Sequence, residues 1–190
     1  MISLARVGEN EGQKCLDLIQ KPERVDKISS VAYNIVSNTT NKGETTTMWM
    51  NEAQRTIAAP AQQIFAIWYN FAQRPSWDEH DEWVHLQGPL AIGTTIHLKT
   101  QGAPPAKVRI TEFEPGRRIV TEGIVPFGKL RFVFELQVVD SSLVHVSYSQ
   151  EIRGPLTPLL ARIFGPRMAT DAPITLDRLA QRVSLAHESL

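Results

Sequence analysis

Across the second half of the chain, apolar and polar residues alternate with a period of two. Over residues 128–139, Leu130, Phe132, Phe134, Leu136 and Val138 share one face, and Lys129, Arg131, Glu135 and Gln137 share the other. Over residues 143–152, Val144, Val146, Tyr148, Gln150 and Ile152 point one way, and His145, Ser147, Ser149 and Glu151 the other. One dry face and one wet face predict antiparallel strands. Turn signals divide the run. "EWVHLQ" stops at Gly88-Pro89, "TTIHLKT" at Gln101-Gly102, "AKVRITEFE" at Pro115-Gly116, and "RRIVTEGIV" at Pro126. These connections are too short for βαβ crossovers, which excludes a parallel sheet.

Helical periods flank the strands. Residues 45–57, "TTTMWMNEAQRTI", are rich in β-branched and aromatic residues and read as a first strand. Pro60 then suits the first helical position, where its missing N–H costs nothing. Ile64, Ile67, Trp68 and Phe71 follow at i, i+3, i+4, i+7, and Arg74-Pro75-Ser76 ends this helical region. In the tail, Leu156, Leu159, Leu160 and Ile163 line one helix face, which Met168, Ala172, Leu176, Leu179 and Val183 continue. Gly165-Pro166 and Pro173 predict a kink or a division of that helix. Residues 1–44 read as an N-terminal extension, weakly helical or disordered, with a stripe of Leu16, Val25, Ile28, Ala32 and Ile35 interrupted by Pro22. The polar run "SNTTNKGETTT" reads as a linker, and residues 45–186 as the folded domain. A translation start at Met48 or Met50 is the alternative account of the extension.

Composition narrows the function classes. Apolar residues make up 42% of the 190, as expected of a soluble globular protein. Twenty basic and twenty acidic residues cancel, so no global field favours nucleic acid or an anionic membrane. A single cysteine, Cys15, excludes an internal disulfide and a Cys-based zinc site, and fits a cytoplasmic location. No apolar run approaches the roughly 20 residues that span a bilayer, so no integral membrane segment is expected. The first residues lack the long apolar stretch of a secretory signal.

The motifs carry a resemblance. "RTIAAPAQQIFAIWYNFAQRPSW", "GPLAIGTTIHLKT", "RITEFEPGRRIVTEG", a phenylalanine-rich strand and a leucine-rich final helix together resemble the START-like (SRPBCC, helix-grip) superfamily. Its polyketide cyclase/dehydratase and lipid-transport group is the most similar, over roughly residues 46–184. The resemblance implies an α+β helix-grip fold: a curved seven-stranded antiparallel sheet wrapped around a long C-terminal helix, with two short helices between the first two strands. It implies a cavity between sheet and helix for a small hydrophobic or amphipathic ligand, lipid or polyketide-like. Two alternatives remain open. One is a cyclase/dehydratase-type enzyme that moves protons through inward polar residues. The other is a protein-interaction domain similar to the Hsp90 ATPase activator family.

Within that frame the expected ligand-binding residues are Trp68, Trp77, Val108, Ile110, Phe132, Phe134, Val146, Tyr148, Phe164, Met168 and Ala172. Tyr148, on an apolar face, needs a partner for its hydroxyl and is a candidate acid–base group. Glu122 is the second, provided it faces inward, which "RRIVTEG" does not decide. His97, Lys99 and His145 fall on polar faces and read as solvated. Arg117 and Arg118 read as solvated too, or as steering an acidic ligand. The heptad "WDEHDEW" places four carboxylates and His80 between Trp77 and Trp83. Consecutive residues in extended chain point to opposite sides, so too few converge for a metal, and the heptad reads as an acidic solvated rim. No phosphate loop, dinucleotide fingerprint or G-x-S-x-G elbow is present, so no cofactor and no nucleophilic triad is expected.

Overall fold

The computed structural model describes residues 33–41 and 44–187, with side chains across 48–186. In chain order the elements are β1 (Tyr33–Asn41), β2 (Glu44–Ile57), α1 (Ala61–Tyr69), a 3₁₀ helix (Phe71–Ser76), β3 (Asp81–Gln87), β4 (Thr95–Thr100), β5 (Ala106–Glu114), β6 (Arg118–Val125), β7 (Gly128–Asp140), β8 (Leu143–Arg153) and α2 (Thr157–His187). Among the described residues the strands form one antiparallel sheet in the order β1-β2-β8-β7-β6-β5-β4-β3. From β2 the chain passes through α1 and the 3₁₀ helix to the far edge at β3. It then returns strand by strand until β8 closes against β2. Pro60 stands one place before the helix, with φ −61° and ψ 139°, and its carbonyl accepts from Gln63 N and Ile64 N.

The seven strands expected from residue 45 onward are present, and β1 adds an eighth. For residues 33–41 this corrects the reading of a weakly helical or disordered extension that ends in a linker. Tyr33–Asn41 pairs along its length with β2, from Tyr33↔Glu52 to Asn41↔Glu44. A polar Thr/Asn run signals a loop only when its backbone has no partner; here the outer edge of β2 supplies one. Residues 1–32, with Cys15 and most of the expected apolar stripe, lie outside the described residues.

Helix α2 runs unbroken through Pro166 and Pro173, so the expected kink does not divide it. Each proline removes one rung, but Gly165, Ala172, Leu176, Leu179 and Val183 are all buried and hold the segment from one side. Gly165 marks the phase: a Cβ there would lie 3.1 Å from Cζ2 of Trp49 on β2, a tight contact that glycine avoids. That phase turns the expected stripe outward. Leu160 is buried, whereas Leu156, Leu159 and Ile163 are exposed.

A second close approach joins β8 to the β6–β7 turn. Gly154 has φ +138°, and a Cβ there would lie 2.5 Å from the Phe127 carbonyl oxygen. Gly154→Ala should therefore cost about 2 kcal/mol or more, measured as a lower urea midpoint at unchanged slope.

Candidate functional site

The inner face of the sheet follows from register. Tyr148 stands opposite Ala53 on β2 and Phe134 on β7, Phe134 opposite Ile119, and Gln150 opposite Phe132 and Asn51. All of these therefore face α1 and α2. Trp68 of α1 stacks on Phe134 at 3.8 Å between centroids and 8° between planes, and meets Tyr148 edge-on at 5.3 Å. The Arg74 guanidinium, from the 3₁₀ helix, lies 4.3 Å above the Trp68 ring and 5.7 Å from the Trp77 ring. Its Nε is 2.8 Å from Asp81 Oδ2. A bulge in β3 between Asp81 and Trp83 shifts the register, placing Asp81 opposite Thr100 on the inward parity while Glu82 reaches Lys99.

Next to this group the loop after the 3₁₀ helix is tied to α2. Asp78 is 1% exposed. It accepts from Thr175 Oγ1 at 2.9 Å, Arg178 Nη1 at 3.1 Å and the His80 backbone N–H at 3.2 Å. His80 places Nε2 3.1 Å from Asp171 Oδ1 and Nδ1 3.1 Å from Arg178 Nη1. Nδ1 also lies 3.1 Å from Asp78 Oδ1, so the ring sits between two carboxylates and a guanidinium. Asn51 donates to Gln150 Oε1 at 3.5 Å and to the Met168 carbonyl at 3.4 Å.

Burial and charge push these groups apart in acidity. For Asp78, burial opposes ionisation, but Arg74, the Thr175 hydroxyl and His80 outweigh it and hold the carboxyl below its ordinary value. Asp81 goes the other way: burial raises it, the Asp78 charge adds to that, and Arg74 only partly offsets the rise. Tyr148 is raised by burial, with Arg74 and Gln150 opposing. Burial would lower the Arg74 guanidinium, but Asp81, Tyr148 and Asp78 keep it charged.

The expected ligand-binding residues divide into three sets. Trp68, Val108, Ile110, Phe134, Val146 and Ala172 are packed into one continuous core. Trp77, Phe132, Tyr148 and Met168 are half-buried around the polar cluster and the inner sheet face. Phe164 is 40% exposed and faces away from the interior, because the Gly165 phase rotates it outward. Glu122 is likewise corrected: it stands opposite Arg131 on the outer face, 3.8 Å from its Nε and 3.6 Å from Lys129 Nζ, and is no interior base. Arg117 and Arg118 are paired on that outer face with Glu114, Glu135 and Glu112. His97 and His145 hydrogen-bond Gln87 and Thr56 on outward faces. The heptad is a solvated rim only in part: Glu79 and Glu82 are exposed, but Asp78 is buried and Asp81 nearly so. Among the described residues no group of three or more His, Cys, Asp or Glu is placed to hold a metal.

The interior is not filled uniformly. Helix α2 packs chiefly on β2, β8 and α1. Inward residues of the other strands, among them Leu98, Thr121 and Phe132, stay half-buried, and so does Tyr148 despite its depth. Of these, Leu98, Phe132 and Tyr148 pack against the core from the side of β4–β8 while keeping part of their surface exposed. Two hollows lie away from this chemistry, one of about 480 Å³ beside Gly116, Arg117 and Glu135 and one of about 340 Å³ between Phe71 and His85.

Residues 48–184 match the family described as polyketide cyclase / dehydrase and lipid transport. The chain belongs to this family. Several solved structures share its fold. Norcoclaurine synthase from Thalictrum flavum, in complex with dopamine and hydroxybenzaldehyde, superposes with a TM-score of 0.56 at 13% identity, covering 73% of this chain and 87% of that one. A START superfamily protein from Mycobacterium smegmatis gives a TM-score of 0.57 at 15% identity, covering 72% and 98%. A Thermobifida fusca protein gives 0.59 at 19%, covering 70% and 92%. At these identities the likeness is one of fold. A search of curated proteins found no match. No described helix is long and apolar enough to cross a membrane.

Sequence reasoning missed Arg74, Asp78, Asp81 and their partners on α2. One signal was available. Asp171, Thr175 and Arg178 recur at i, i+4, i+7, a polar stripe beside the buried stripe of Ala172, Leu176 and Leu179.

Proposed function

We propose that the protein binds a small amphipathic molecule in a recess between α2 and the half-buried inner face of β4–β7. Its apolar part rests on Leu98, Phe132 and Met168, and its polar end reaches Tyr148 and Arg74. One observation carries this reading: a phenol and a guanidinium converge at a depth where polar groups must be matched. Two further polar atoms nearby, Asn51 Oδ1 and Trp77 Nε1, are buried with no hydrogen-bond partner. Family membership and fold support small-molecule binding as the class of function. Burial of the guest's apolar surface supplies most of the driving force, at about 25 cal/mol per Å².

The test is binding of an environment-sensitive apolar dye to the full chain, with native mass spectrometry of protein from its source. Thr121→Phe, which fills the half-buried recess floor, should lower dye affinity at least about tenfold with little loss of stability. Tyr148→Phe should lower affinity for a co-purified polar-ended ligand by about 1–2 kcal/mol. Equal dye affinity in wild type and Thr121→Phe would overturn the proposal.

A second reading, proton transfer of the cyclase kind, has one specific support. Asp81 holds its proton to higher pH than an ordinary carboxyl, beside Arg74 and within the same polar group as Tyr148. For a compound found bound, Asp81→Asn should abolish turnover while leaving its affinity unchanged; undiminished turnover would leave binding as the whole function.

A further inference from the structure

One hydrogen-bond chain in the interior fixes which way the Tyr148 hydroxyl can act. It starts at a main-chain group of unambiguous polarity. The Met168 carbonyl of α2 can only accept, and the Asn51 side-chain amide lies 3.4 Å from it, so Nδ2 must face it. The other hydrogen of Nδ2 goes to Gln150 Oε1 at 3.5 Å, across the β2–β8 register. With its oxygen committed, Gln150 turns Nε2 toward its neighbour two places along the same strand face, and the Tyr148 oxygen accepts from it. Asn51 and Gln150 are both buried, so an amide turned the wrong way would leave polar groups unmatched.

A second donor reaches the same oxygen. Arg74 hydrogen-bonds Tyr148, and a guanidinium has no acceptor to offer. A phenol oxygen has two lone pairs, and Gln150 and Arg74 take both. Asp81 acts on Tyr148 through its charge, while its Oδ2 is held on Arg74. What Tyr148 has left to offer a guest is its O–H. Charge narrows the choice further. Arg74 already has Asp81 at 2.8 Å and the buried Asp78 nearby. A third anion would bring like charges together where water is scarce. A neutral carbonyl oxygen accepts the Tyr148 proton without that cost.

We infer that Tyr148 donates its hydroxyl hydrogen to a neutral carbonyl oxygen of the guest, a ketone, ester or amide, and that Asn51 and Gln150 are positioning residues that set this polarity without touching the guest. The assignment rests on the recess reading and specifies its polar end.

The test is titration of the full chain with acetylnaphthalene and ethylnaphthalene, which differ in one carbonyl group. Tyr148→Phe should weaken the ketone about tenfold and leave ethylnaphthalene unchanged. Asn51→Leu should weaken the ketone at least about threefold, again with ethylnaphthalene unchanged. In that variant Gln150 can turn, give Nε2 to the Met168 carbonyl and take the Tyr148 proton on Oε1. A merely structural role for Asn51 would move both ligands alike. Naphthoate, the anionic counterpart, should bind less tightly than the ketone at neutral pH. Equal losses for ketone and hydrocarbon in either variant, or tighter binding of naphthoate, would overturn the inference and leave the recess standing. Failure of the dye and of both naphthalenes to bind the wild type would overturn the recess and the inference together.

Discussion

Asp78→Ala is expected to destabilise the fold by about 3–5 kcal/mol, read as a fall in the urea midpoint at neutral pH with little change in slope. The carboxylate is 1% exposed and answers Thr175, Arg178 and the His80 N–H together. Removing it leaves those donors, and part of the Arg74 charge, uncompensated. A loss below about 1 kcal/mol would mean that the cluster relaxes into water.

Acid titration should separate the two aspartates by sign. The carboxyl of Asp78 is held low, so its stabilisation is full above the ordinary carboxylate range, about 3.9, and is lost as pH falls through its folded value. For Asp81 the folded value is raised, so the native state keeps a proton that the unfolded chain has released. Its contribution is full below the ordinary range and is lost as pH rises through its folded value. Asp78→Asn should flatten the acid limb, and Asp81→Asn should remove the decline above it.

Trp68→Ala carries the second large effect, also about 3–5 kcal/mol. The indole is 2% exposed, stacks on Phe134, meets Tyr148 edge-on and lies beneath the Arg74 guanidinium. Its loss opens a cavity and strips a desolvated cation of its aromatic face, a contact worth about 2 kcal/mol in such settings. Trp68→Phe should cost clearly less. A double-mutant cycle between Trp68→Ala and Phe134→Ala should show coupling of about 0.5–1.5 kcal/mol, since the two rings share one contact. Additive losses in that cycle would contradict the stacked geometry.

The strands were legible because punctuation and alternation agree there. Gly88-Pro89, Pro115-Gly116 and Pro126 bound strands whose inner residues, such as Ile96, Ile110 and Phe134, are buried as their parity predicts. The face of Glu122 was not legible, because Ile119, Val120, Thr121 and Glu122 offer apolar residues on both parities. Val120 is in fact buried on the outer side. The rotation of α2 was hidden for another reason. Gly165, which packs on Trp49 of the sheet, has no hydropathy to read, so Phe164 and Ile163 looked like the inner stripe. As for the heptad, a row of acids beside tryptophans reads as solvated unless partners are known. Asp78 finds its partners on α2 and Asp81 its own on the 3₁₀ helix, neither marked by any local pattern around the heptad.

The span of those links, 97 residues to Thr175 and 100 to Arg178, also imposes a timetable. A ribosome delivers the heptad long before it delivers the segment that neutralises it. Contacts of such long range close late. Throughout the interval a nascent chain must carry an ionised Asp78 beside a half-built interior. Fragments stopped short of Thr175 should therefore stay open and protease-sensitive, although they contain all eight described strands.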